Sequence, residues 1–238
     1  VNDDGYSGRV VPGGDSAVRV LDEAEIRKAS VGPMDNDAYL VTCRRSGAQL
    51  LVDAPADPDR LLELVREGSG SARLDVVVIT HRHADHLGAL ASVAAVTGAR
   101  VAAGGPDADA VEEATGHPVT SRLRHGDTLV VGHLVLDVVA LRGHTPGALA
   151  LALTEPEHTR APRAVPGRVH LFTGDSLFPG GVGATGGDAQ RFAQLLGDVT
   201  VRVFDRYRDD TWVYPGHGDD TTLGAQRPDL AQWAARGW

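Results

Sequence analysis

Residues 74–88, "LDVVVITHRHADHLG", carry an unbroken apolar stretch straight into His81, His83, Asp85 and His86. The apolar stretch reads as a buried central strand, since it is far shorter than the roughly 20 residues that span a bilayer. One histidine near a strand end is ordinary, but three with a carboxylate among them repel one another or need a counter-ion. Imidazole nitrogen and carboxylate oxygen are donors that suit zinc, iron or manganese. The loop after a strand is also where a scaffold commonly holds such side chains. A metal site at this strand end is therefore expected.

The rest of the chain supplies a scaffold of strands and helices. Residues 1–15 read as a flexible lead-in and 16–238 as a single domain. "SAVRVLD", "EIRKASV", "DAYLVTCRR" and "AQLLVDAP" form an opening meander. "DPDRLLELVREG" is a helix with an Asp cap and a terminal glycine. "ADHLGALASVAAVTG" continues the histidine cluster as a helix, with Asp85 and His86 at or near its first turn. Strand "ARVAAG", helix "DADAVEEATG" and strands "DTLVVG", "LVLDVVAL" and "ALALALT" follow. After a proline-rich loop (154–168) come strand "VHLFTGDSLF", a glycine-rich loop (179–187), helix "DAQRFAQLLGDV", strand and turn "TWVYPGHG", and helix "PDLAQWAARGW". Two strand-rich halves with helices through both predict an α/β fold of two packed sheets with helices outside.

Composition narrows the partners. A net charge of −9 opposes binding to a phosphate backbone, which needs a basic face, so no nucleic-acid partner is expected. The longest apolar runs are too short for a membrane span, so no membrane partner is expected either. The single cysteine, Cys43, forms no internal disulfide and falls within a strand pattern, so it reads as a buried inert thiol. With no signal peptide visible in the glycine-rich start, a cytoplasmic location is expected. A small-molecule substrate is the expected partner.

Later strand ends add "LRGHTPG" with His144, "FTGDSLF" with Asp175 and "YPGHGDD" with His217. Glycine beside each lets the backbone turn sharply and approach a shared centre. In order, T-H-x-H-x-D-H at 80–86, G-H-T-P-G at 143–147, G-D at 174–175 and P-G-H-G at 215–218 resemble the metallo-β-lactamase fold superfamily of hydrolases. Within it the chain is most similar to the glyoxalase II (hydroxyacylglutathione hydrolase) type. The resemblance implies a four-layer αββα sandwich of two mixed β-sheets with helices outside. It implies two divalent metal ions, zinc foremost, with iron or manganese as alternatives. His81, His83 and His144 would bind one ion, Asp85, His86 and His217 the second, and Asp175 would bridge them. Asp53, ending "LLVDAP", stands where the family places an aspartate that supports the site. His117, His125, His133, His158 and His170 match no motif and read as surface or structural.

The implied chemistry is hydrolysis of an activated acyl compound, a thioester foremost, by a metal-bound hydroxide at a dinuclear site. A thiolate leaves readily, which fits a site whose evident acids are Asp85 and a bound water. Lactones and phosphodiesters are alternative substrates. The chief rival is a persulfide dioxygenase, which shares the fold and would hold one iron with His81, His144 and Asp175. Class B1 β-lactamases carry Arg in place of His86 and Cys in place of Asp175, which sets them apart. Glyoxalase II enzymes carry a helical C-terminal domain that helps bind glutathione, whereas 21 residues follow His217. The loop at 179–187 is expected to border the metal cleft, and it holds no basic residue. Glutathione thioesters are therefore expected to be poor substrates. Arg142, where Pro is usual, reads as a surface oddity.

Overall fold

The computed structural model describes residues 6–71 and 73–237. Strands β1 (Ala17–Val20), β2 (Ala24–Val31), β3 (Asn36–Cys43) and β4 (Gln49–Val52) form the expected antiparallel meander. Helix α1 (Pro58–Ser69) then crosses over to β5 (Val76–Ile79), parallel to β4. Helix α2 (Leu90–Thr97), β6 (Arg100–Gly104), α3 (Gly105–Thr115) and β7 (Ser121–Leu123) extend the parallel side. The first sheet thus runs in chain order from β1 to β7.

The second half holds β8 (Thr128–Val131), β9 (Leu134–Ala140), β10 (Leu149–Thr154) and β11 (Val169–Gly174). A small hairpin of β12 (Leu177–Phe178) and β13 (Gly181–Val182) follows, then α4 (Ala189–Val199), β14 (Trp212–Pro215), β15 (Thr221–Thr222), α5 (Leu223–Gln226) and α6 (Leu230–Arg236). The sheet order is β15-β14-β11-β10-β9-β8, with β11 and β14 parallel and the other neighbours antiparallel.

Three apolar clusters define the layers. Ile26, Leu50, Val78, Leu136, Leu151 and Phe172 fill the space between the sheets. Leu51, Val77 and Ile79 point the other way, against Leu61 and Leu64 of α1 and Val93 of α2. Leu171 and Val213 pack outward on Leu195 of α4 and Trp233 of α6. This is the expected αββα sandwich. It also explains why β3, β4 and β5 are buried at every position: with both faces covered, the two-residue alternation of a half-exposed strand is lost. Tyr214 ties the sheets together, stacking on Phe172 at 4.7 Å and meeting Tyr39 edge-on at 5.4 Å.

Two expectations are corrected. The lead-in is packed from Tyr6 onward: Tyr6 is buried and its hydroxyl donates to Asp220 at 2.8 Å. Buried Lys28 reaches Gly8 O at 2.9 Å while pairing with Asp37 at 3.0 Å and Asp220 at 2.8 Å. Residues 1–5 lie outside the described residues. The helix expected from residue 84 is instead a 3-10 turn over Ala84–His86, and α2 begins only at Leu90. Ala54 causes the break by capturing backbone groups from both sides: its N–H donates to His86 O and its carbonyl accepts from Ala89 N, each at 3.0 Å. Gly88 sits so close to this strand end that a Cβ there would lie 2.6 Å from Pro55 O.

Two local expectations, the Asp cap and the buried cysteine, hold. Asp57 caps α1 by accepting from Arg60 N at 3.1 Å, and Cys43 is buried. Among the described residues, no helix is long and apolar enough to cross a membrane.

His170, on β11, is fully buried between Tyr214 Oη at 2.8 Å and Glu155 Oε1 at 3.0 Å. Burial pushes its pKa down to about 4, against the pull of Glu155. In the unfolded chain a histidine titrates near about 6.5, so between that pH and about 4 the unfolded state binds a proton that the folded state refuses. Its contribution is whole above the unfolded value and is lost as pH falls through this window. Urea unfolding at a series of pH values should show His170→Gln losing less stability than the parent chain across the window. Parallel curves would refute this assignment.

Candidate metal centre

Strand direction gathers the site. Because β4 and β5 are parallel neighbours, their C-terminal ends lie side by side, presenting Asp53 from one and Thr80 to His86 from the other. The same holds for β11 and β14, followed by Asp175 and His217. The turn between β9 and β10 adds His144, and Leu149 N donates to Thr80 O at 3.0 Å, joining the two sheets at this edge. Glycine permits the approach. A Cβ on Gly216 would collide with Asp175 Oδ1 and stand 2.8 Å from His86 Cε1. Gly174, at φ 47°, has its missing Cβ against the Thr80 side chain.

Four imidazoles are fixed by their Nδ1 atoms. His86 Nδ1 meets Asp53 Oδ2 at 2.9 Å, His144 Nδ1 meets Ala184 O at 2.7 Å, and His217 Nδ1 meets Met34 O at 2.9 Å. His81 Nδ1 lies 3.1 Å from Thr80 Oγ1, whose own proton goes to Asp53 Oδ2 at 2.8 Å. With acceptors at Nδ1, each ring holds a proton there and turns Nε2 toward the centre, the arrangement that prepares histidine for a metal once Nε2 is free of a proton. His81 Nε2 and His144 Nε2 are buried without a hydrogen-bond partner. His86 Nε2 and His217 Nε2 face each other at 3.2 Å.

The donor atoms fall into three overlapping groups, each within 4.8 Å: His81 with His83 and His144, His81 with His86 and Asp175, and Asp85 with His86 and His217. Asp175 lies between the two ends. Its Oδ2 is 3.6 Å from His144 Nε2 and 3.4 Å from His217 Nε2, and its Oδ1 is 3.4 Å from His86 Nε2. Nitrogen and oxygen donors arranged in this way, with orphaned lone pairs, fit divalent metal ions. Every residue singled out from the motifs is thus brought to one place, with Asp53 behind them.

The electrostatics of the two ends differ. Burial, together with neighbouring imidazoles, holds His81 well below its ordinary pKa, and burial lowers His83 and His144. At the other end burial also works against charge on His86, but hydrogen bonds to Asp175 and Asp53 outweigh it and raise the ring to about 10. Burial would raise Asp175, yet His217 and His86 hold it well below the usual carboxylate range. This end is a field built for positive charge.

Several supporting residues carried no signal in the sequence. Asn36 Nδ2 donates to Asp85 Oδ2 at 3.0 Å. Arg191 of α4 donates to Gly143 O at 2.8 Å and to His144 O. Arg142 anchors the same turn by a two-pronged contact with Asp198, both prongs at 2.9 Å, so this residue is more than a surface oddity. The glycine-rich loop borders the centre as expected, through Ala184 O and through Gly183, where a Cβ would collide with Asp175 O. Part of it is the β12–β13 hairpin. With Phe178 and Val182 it lines a cleft of about 600 Å³, and Arg236 from α6 lies on that cleft too.

Residues 31–223 match the family model of the Metallo-beta-lactamase superfamily, and the chain belongs to that superfamily. It is 34% identical over 163 residues to a hydroxyacylglutathione hydrolase of Fuscovulum blasticum, covering 68% of this chain and 56% of the relative. The chain thus spans a little over half the length of that relative. Among solved structures, it is similar to ETHE1 from Myxococcus xanthus, at 27% identity and TM-score 0.69, over 87% of this chain and 84% of that one. It is also similar to a protein crystallised in a di-iron-bound form, at 28% identity and TM-score 0.63, over 83% and 95% of the two chains. The family resemblance read from the motifs is borne out.

Asp53 accepts three bonds: from Thr80 N at 2.7 Å, Thr80 Oγ1 and His86 Nδ1. It does so from a left-handed backbone, φ 60°. Asp53→Ala would strand three buried donors and put alanine in a strained conformation, so a loss of about 3 kcal/mol or more is expected. Urea unfolding of the metal-free protein measures this, and a loss below about 1 kcal/mol would count against the role given to Asp53.

Proposed function

We propose that this chain is a metal-dependent hydrolase of thioesters that works with two divalent metal ions. In this reading His81, His83 and His144 would hold one ion, Asp85, His86 and His217 would hold the other, and Asp175 would be shared between them. Zinc is the foremost candidate, and iron or manganese suits the same donors. The observation that carries the reading is the set of four imidazoles tethered through Nδ1 with Nε2 turned inward. Similarity to hydroxyacylglutathione hydrolases supports a thioester, and the di-iron-bound neighbour supports two ions.

Ions held there would supply a water of lowered pKa and polarise the scissile carbonyl. The chain does the rest. Asp85, oriented by Asn36 and partly open to solvent, would take the proton of the attacking water and pass it through solvent to the thiolate released as the C–S bond breaks. Met34, 57% exposed, and Phe178, whose ring is 6.3 Å from His217, give the mouth an apolar flank suited to an acyl chain. The cleft beside the hairpin takes the thiol portion. Among the described residues that line it, Arg236 is the charged one. A basic group therefore reaches this cleft from α6 although the loop has none, which removes the ground for disfavouring acidic thiols such as glutathione.

The dioxygenase reading uses His81, His144 and Asp175 and gives Asp85, His86 and His217 no task. The tethering of His86 and His217 through Nδ1, with Nε2 turned to the centre, speaks for the hydrolase. Metal content by mass spectrometry, with thioester hydrolysis and oxygen uptake measured on the same preparation, tests the two. Two ions per chain with hydrolysis and no oxygen uptake is expected. One iron with oxygen uptake would replace this reading by the dioxygenase, and cleavage of lactones or phosphodiesters alone would overturn the thioester. Arg236→Ala is expected to raise KM severalfold for thioesters whose thiol carries carboxylates and to leave kcat unchanged. An equal change with neutral thiols would refute the proposed contact.

A further inference from the structure

We infer that Asp107 is a positioning residue that locks the two loops of the three-histidine end into one rigid ligand set; this rests on the reading that His81, His83 and His144 hold a metal ion. Asp107 lies in the first turn of α3 and is fully buried. Its Oδ2 accepts from the backbone N–H of Arg82 at 3.2 Å, between His81 and His83. The same oxygen accepts from the Thr145 hydroxyl at 2.5 Å, next to His144. Its Oδ1 accepts from Gly147 N at 2.9 Å. One carboxylate therefore joins the loop after β5 in the first sheet to the turn before β10 in the second.

A buried carboxylate is costly unless donors satisfy its oxygens. Here the three donors all belong to ligand-bearing loops. The Arg82 guanidinium, 3.8 Å from Oδ1, and the N-terminal end of α3 favour the charge. The packing leaves little play. A Cβ on Gly104 would collide with Gly147 O, and one on Gly147 would lie 2.7 Å from Asp107 Cβ. The His144 turn is thus pressed against α3 and hydrogen-bonded to the side chain that also holds the backbone between His81 and His83. Nothing in Asp107's sequence context marks this role, because an acidic residue in a first helical turn is commonplace.

The test compares Asp107→Asn and Thr145→Val in a His217→Ala background, where zinc binding reports the three-histidine end. Zinc affinity is measured against a competing chelator, and the unfolding of each metal-free protein is followed in urea. An asparagine cannot accept at both positions, so Arg82 N or Gly147 N loses its acceptor. Affinity is expected to fall about 10- to 100-fold, the range for partners behind metal ligands. Thr145→Val, which removes one bond and no charge, should weaken zinc severalfold with little loss of stability. If Asp107→Asn does not fold, Thr145→Val decides. Folded variants with parental zinc affinity would overturn the inference while leaving the metal centre in place. A parent chain that binds no zinc would overturn the metal centre and this inference together.

Discussion

The carboxylate of Asp53 is the knot on which the site depends. It sits where β4 ends, accepts two bonds from Thr80 at the end of β5, and accepts a third from His86 five positions beyond the first histidine of the cluster. Thr80 Oγ1, having given its proton to Asp53, is free to accept from His81 Nδ1. One anion thereby sets the ring orientation of His86 directly and of His81 through a hydroxyl. The left-handed backbone at Asp53 is part of this arrangement. It turns the chain so that Ala54 can take His86 O and supply an acceptor to Ala89, which is also why the cluster is a 3-10 turn and not the start of a helix.

From this knot the centre is assembled across the gap between two sheets, and hydrogen bonds between loops carry the assembly. The His144 turn is held by Arg191 and by the Arg142–Asp198 pair from the second sheet's side, and by Asp107 from the first. The His217 turn is held by Asp37 N on Gly216 O at 2.8 Å and by the Tyr39 hydroxyl on Pro215 O at 2.6 Å. Tyr39 is also an edge-on partner of Tyr214 in the inter-sheet core. Packing of the two sheets and placement of His217 are thus one problem, so a core substitution near Tyr39 acts on the site as well.

The donors of the centre were legible in the sequence because each sits in a short motif at a strand end and because an ordered set of histidines, aspartates and glycines is improbable as mere surface. The layers were legible too, since fully apolar strands and helical stripes require covering on the matching faces. What escaped notice depends on distant partners. Asp107 looks like any first-turn acid, Asn36 like a turn residue and Arg236 like a solvated helix end, and each gains its role from residues far away in the chain. The packing of Tyr6 was hidden for the same reason, because Asp220 lies at the opposite end of the sequence. Local pattern also favoured a helix through residue 86, and a tertiary contact with Ala54 overrode it.

The strongest argument for a cation in this centre lies in direction more than in number. Leaving a buried polar atom unpaired costs about 1–3 kcal/mol, and such atoms occur at Thr211 Oγ1 and Tyr207 Oη, away from the motifs. Those are isolated. At the strand ends, His81 Nε2, His144 Nε2 and Asp175 Oδ1 are unpaired together, and His86 Nε2 and His217 Nε2 confront each other across 3.2 Å. In each of these four rings Nδ1 is already engaged, so turning the ring to satisfy Nε2 would break the bond that positions it. No protein donor reaches His81 Nε2 or His144 Nε2, and at the other end a proton held on His86 stands where a cation would sit. A positive centre lying among them satisfies several lone pairs at once, which makes the cost of holding the empty arrangement recoverable on metal binding.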